Sequence, residues 1–169
     1  MENQPAAMSI WDGSLIGVRL WAKLMAADGN ISVHSMLACG MGTERMEFDW
    51  TQGSLAEGLR LYDAGEFFAA HEAWEIVWLR AHEPEKTFLQ GLIQVTAAFH
   101  HLQRNNPQGT ALLLQAALGR LEHYPARFGD ISVTVLCDDI RSWLQALEAD
   151  APASQLGPES RKRPAIGLL

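Results

Sequence analysis

The chain has 169 residues, 48% hydrophobic and 20% charged, with a formal net charge of −7. That length supports one sizeable core but not two large domains. Arg161-Lys162-Arg163 is the only tight basic cluster in the sequence, which argues against nucleic acid as a partner. The two cysteines, Cys39 and Cys137, form no C-x-x-C and fit a reducing, cytoplasmic setting, each as a small buried or incidental side chain.

Residues 1–45 are rich in Gly, Ser, Met and Asn and hold one weak amphipathic segment, Ile16 to Ala27. They are expected to be a flexible extension, or to lie upstream of a native start at Met41 or Met46. No basic n-region precedes the apolar run "SLIGVRLWAKLMAA", and Arg19 and Lys23 interrupt it, so neither export nor a membrane span is expected. Regular signals begin at Ser54, where Ser54 and Glu57 have the spacing of a capping box. Leu55, Leu59 and Tyr62 follow at helical spacing until Asp63-Ala64-Gly65 turns the chain.

A second helix is predicted from about Glu66 to Arg80, and a third with Pro84 in its first turn, running to Asn105-Asn106. Asn106-Pro107 reads as an N-cap followed by proline at the first helical position, and Tyr124-Pro125 ends this fourth helix. A fifth, capped by Asp130 or Ser132, carries Leu136, Ile140, Trp143, Leu144 and Leu147. The β-branched "ISVTVL" at 131–136 is the main ambiguity, and no segment has strand alternation bounded by hairpin turns. The predicted organisation is an all-α domain over residues 46–150, with a disordered tail over 151–169. Two stacked helix hairpins plus a C-terminal helix make up this five-helix bundle. The segments around Gly65 and Asn105 repeat at a spacing of 40 residues, and "GEFFAAHEAWEIVW" is similar to the second half of a tetratricopeptide repeat.

Polar residues on apolar helix faces mark the candidate site. At 100° per residue, His71, Trp74, Glu75 and Trp78 share a sector about 100° wide, with Glu72 at its rim. On the third helix Gln90, Gln94, Ala97 and His101 share a sector about 60° wide, and His100 points away from it. If the two helices pack antiparallel, the two stripes can face each other. Three readings stay open. The stripe is a satisfied buried hydrogen-bond network. Alternatively, His71, Glu75 and His101 hold a divalent metal such as zinc, with Glu72, Gln90 and Gln94 orienting the ligands and Trp74 and Trp78 walling the pocket. Metal-free acid/base chemistry is the third, but no nucleophile or phosphate loop accompanies the stripe. "HEAWE" lacks the second histidine of H-E-x-x-H.

The stretch "LYDAGEFFAAHEAWEIVW", followed by "FLQGLIQVTAAFHHLQRNNPQGTALLL", resembles the domain of unknown function 309 family over about residues 54–147. The family signature H-x-x-x-E-x-x-[WY] falls on His71, Glu75 and Trp78, and its pattern also corresponds to Glu72, Gln90, Gly91, Gln94, His101 and Asn105. Asn106 stands where a glycine is expected. The resemblance implies a small all-helical protein with a suggested metal site and no established activity. The expectation is therefore a metal-binding protein of unknown reaction, with catalytic residues unassigned. Its alternative is a non-enzymatic interaction module in which the motif is structural. The partner would be a small molecule or a protein, a second copy of the chain included.

Overall fold

The computed structural model describes residues 47–149 and 163–166, so the expectations for residues 1–45 and for Cys39 fall outside the described residues. Five helices run in order: α1 (Gly53–Ala64), α2 (Phe67–Trp78), α3 (Glu85–Gln103), α4 (Pro107–Leu121) and α5 (Val133–Glu148). Between α4 and α5 lie two short strands, β1 (Arg127–Phe128) and β2 (Ile131–Ser132). Each helix packs on the next, most extensively α3 on α4, as expected for an all-α bundle of successive hairpins.

The sequence from Phe88 to Phe99, "FLQGLIQVTAAF", contains no charged residue, and every one of its positions is buried. A helix that is apolar on all sides belongs in a core. α3 is accordingly the central element of the bundle. Its polar members are met from within: Thr96 donates its hydroxyl to the Ile93 carbonyl at 2.7 Å, and Gln94 accepts from Arg120 of α4 at 3.3 Å.

α1 and α2 join through Gly65, whose φ of 80° is the left-handed geometry of a helix C-terminus. Gln103, at the far end of α3, donates to the Gly65 carbonyl at 2.9 Å, and Phe67 meets the Phe99 ring at 5.5 Å. At the other end Lys86 lies 4.9 Å over the Trp78 ring. These contacts make α2 and α3 antiparallel, as their short connection implies. The predicted capping box does not form. α1 begins two residues earlier, its N-cap Gln52 makes no side-chain cap bond, and Glu57 pairs with Arg60 at 2.7 Å. The guanidinium takes the carboxylate that would have reached back to the helix start.

"ISVTVL" resolves into both alternatives. Ile131-Ser132 pairs with Arg127-Phe128 across Gly129-Asp130, and the helix starts at Val133. Gly129 and Asp130 both have positive φ, 55° and 62°, as a two-residue type I′ hairpin demands. A short hairpin therefore exists where no strand pairing was expected. Phe48 stacks on Trp50 and meets the Phe88 and Phe128 rings, while Trp50 Nε1 donates to the Gly129 carbonyl at 2.6 Å. Cys137 is buried, as a small core side chain.

In the predicted tail, residues 163–166 are described and lie against α1 and α5. Arg163 donates to the Tyr62 and Asp63 carbonyls, satisfying acceptors at the C-terminal end of α1, and the Tyr62 hydroxyl donates to the Pro164 carbonyl at 3.0 Å. Ala165 N–H donates to Asp139 of α5 at 2.9 Å, and Ile166 is buried. Among the described residues no helix is long and apolar enough to cross a membrane.

Trp74 sets the α1–α2 distance. It is fully buried, donates Nε1–H to the Leu55 carbonyl at 3.1 Å, and stacks on Tyr62 with centroids 6.2 Å apart. The indole lies so close to Gly58 that any β-carbon there would overlap it. Gly58→Ala gains about 1 kcal/mol in helix propensity. It also forces a rigid, hydrogen-bonded ring to move, at a cost of about 1–3 kcal/mol or more. The clash is expected to win, so urea denaturation of Gly58→Ala should show a net loss of stability; a gain would mean the helices can separate without penalty.

Candidate functional site

α2 places the signature residues as its helical period requires. His71 is buried at 6% exposure, Glu75 and Trp78 are half-buried, and Glu72 is exposed at the rim. Trp74 departs from the expected role of pocket wall. It turns toward α1, where Leu55, Gly58, Tyr62 and Trp50 surround it, and is a core residue.

The α3 residues divide differently from the expected pairing. Successive residues on a helix point about 100° apart, so His100 and His101 cannot serve the same neighbour. His100 turns toward α2: its ring lies 5.6 Å from Phe68, which in turn stacks on His71 with centroids 6.4 Å apart. His101 turns toward the start of α4, where its Nδ1 is 2.9 Å from Asn106 Nδ2. Gln94, seven residues earlier and on the same side as His101, meets Arg120 of α4. Gln90 shares that side by helical phase and is buried. The glutamine–histidine stripe thus faces α4, not α2. The signal that could have shown this was in the sequence: a helix apolar on all sides has two flanks, and its polar stripe can face either neighbour.

Among the described residues no group of three or more His, Cys, Asp or Glu side chains is arranged to hold a metal ion. His71 and Glu75 stay one turn apart on α2, while His101 is engaged on the other flank of α3. The expected three-ligand centre of His71, Glu75 and His101 is therefore not assembled among the described residues. Nor is the expected hydrogen-bond network complete. His71 Nδ1 and Trp78 Nε1 are buried and have no hydrogen-bond partner among the described residues.

Electrostatics follow from this placement. Burial, with the charge of His100 as a smaller contribution, pushes the His71 imidazole down to about 4, so the ring is neutral near neutral pH. Burial and then the charge of Glu72 raise the Glu75 carboxyl. Burial first, then His100 and Arg104, lowers His101.

A depressed histidine destabilises the fold in acid, because the unfolded chain binds the proton more tightly than the native one. Stability therefore falls as pH drops below about 6.5 and continues falling to about 4. At about pH 5 His71 alone should account for a loss of roughly 2 kcal/mol. His71→Leu removes both this liability and an unpartnered polar atom. It should be more stable than the parent by about 1 kcal/mol at neutral pH and by a margin that widens in acid, read from urea denaturation across pH. A variant less stable than the parent at every pH would show that the imidazole is fully partnered.

The family model described as "Domain of unknown function (DUF309)" matches residues 55–113. An "Uncharacterized protein" of Aquifex aeolicus (strain VF5) is 33% identical over 92 residues, which cover 54% of this chain and 26% of that protein. The chain thus spans about a quarter of the length of this relative. No solved structure matches. The family-model match over residues 55–113 bears out, for that segment, the resemblance read from the sequence.

Proposed function

We propose that the domain is a non-enzymatic interaction module that docks through the outer face of α2, and that the partner this face fits is a second copy of the chain. The observation that carries the reading is a self-complementary row of exposed residues. Glu72, Ile76, Leu79 and Arg80 fall within a sector about 100° wide, and Ile76 and Leu79 are 50% and 60% exposed. The helical turn continues past Trp78, since Arg80 and Ala81 N–H both donate to the Val77 carbonyl, so Arg80 remains on the same face.

In an antiparallel pair crossing at Ile76, Glu72 lies four residues before the crossing and Arg80 four after it. A two-fold axis there brings each glutamate opposite the partner's arginine while Ile76 and Leu79 bury each other. An interface made by one helix from each copy sits at the small end of the size range, so the association is a weak, concentration-dependent one. The likeness to one segment of a longer Aquifex protein accords with a module of this kind.

Sedimentation velocity over a concentration series tests the reading. The parent should shift from monomer to dimer, and Ile76→Asp and Arg80→Glu should each stay monomeric. The double variant Glu72→Arg with Arg80→Glu should recover the dimer by reversing both charges. A parent that remains monomeric up to its solubility limit, or a charge-swapped variant that fails to recover, would contradict it.

A further inference from the structure

The turn between α3 and α4 fixes the proton of His101 through the donors and acceptors that meet there. Asn106 caps α4: the Gly109 N–H donates to its Oδ1 at 2.9 Å. A backbone N–H requires an acceptor, so this bond identifies the oxygen end of the amide, and the end that faces His101 is the NH2 group. That group lies 2.9 Å from His101 Nδ1 and can only donate. Nδ1 must therefore accept, which puts the proton of the neutral ring on Nε2. The cationic ring would set two donors against each other, and the lowered pKa of His101 agrees with a neutral ring.

We infer that Asn106 holds His101 as the Nε2–H tautomer, so that this histidine is a hydrogen-bond donor and is set against metal ligation. A histidine that binds metal through Nε2 needs Nδ1 protonated and donating to an acceptor, the reverse of the polarity found here. Ligation through Nδ1 would require its lone pair, which accepts from the Asn106 NH2 group at 2.9 Å. Reversal of the amide would place NH2 against the Gly109 N–H, donor against donor, so that bond holds its orientation. The Asn106 backbone is fixed as well, its N–H donating to the His101 carbonyl at 3.0 Å and its carbonyl accepting from the Thr110 hydroxyl at 2.8 Å.

The inference concerns the opposite flank of α3 from the proposed docking face and does not depend on it. Its test is ring nitrogen NMR on the full chain, with His101 assigned by its loss in His101→Gln. In the parent, Nε2 should carry the proton and Nδ1 should be unprotonated, and excess zinc should leave that pattern unchanged. Asn106→Asp keeps an oxygen for the Gly109 N–H but offers a second acceptor to the ring, so it should transfer the proton to Nδ1. A parent protonated at Nδ1, a zinc-induced change at Nε2, or an Asn106→Asp pattern identical to the parent would each overturn the inference. The parent spectrum decides the point even if the variant fails to fold.

Discussion

The constraint on which this structure depends is the burial of α3 on all sides. Twelve consecutive positions, from Phe88 to Phe99, are removed from water, so every polar group they carry must be met by the protein. α2 covers one flank and α4 the other. The hairpin β1–β2, with Phe48 and Trp50, closes over the Phe88 end, and Trp143 of α5 packs edge-on against Phe99 at 5.0 Å. The described C-terminal residues complete the frame by joining the end of α1 to α5.

A helix in that position acts as a partition. Its neighbouring histidines, His100 and His101, answer to different helices because one residue of rotation carries a side chain from one flank to the other. On the α2 flank His100 and Phe68 accompany a neutral, buried His71. On the α4 flank an asparagine that caps the next helix also sets the donor and acceptor ends of the His101 ring. The candidate ligands His71 and His101 are thus placed on opposite flanks of α3. On α2 the buried His71 Nδ1 and Trp78 Nε1 have no hydrogen-bond partner among the described residues.

Local signals were the ones legible in the sequence. Asn106-Pro107 opens α4 as its residue types require, with the Asn side chain bonded to Gly109 and Pro at the first position. The burial of His71 and the exposure of Glu72 followed from helical phase alone. What was not legible depended on competition or on distant partners. Glu57 had two possible uses, and Arg60 decided between them. Residues 163–166 look like tail until Tyr62, Asp63 and Asp139, distant in sequence, supply their partners. Gly129-Asp130 reverses the order of the usual hairpin dipeptide and so hid a turn. The direction of the Gln94–His101 stripe was ambiguous, since helical phase shows which residues align but not which neighbour they face.

The central claim is that α3 separates His71 and His101 into independent environments. A double-mutant cycle measures that separation directly. Stabilities of the parent, His71→Ala, His101→Ala and the double variant should combine additively, with a coupling within about 0.5 kcal/mol and no change when excess zinc is added. A coupling above about 1 kcal/mol, or one that appears only with zinc, would show that the two rings share a network or an ion and would contradict the account.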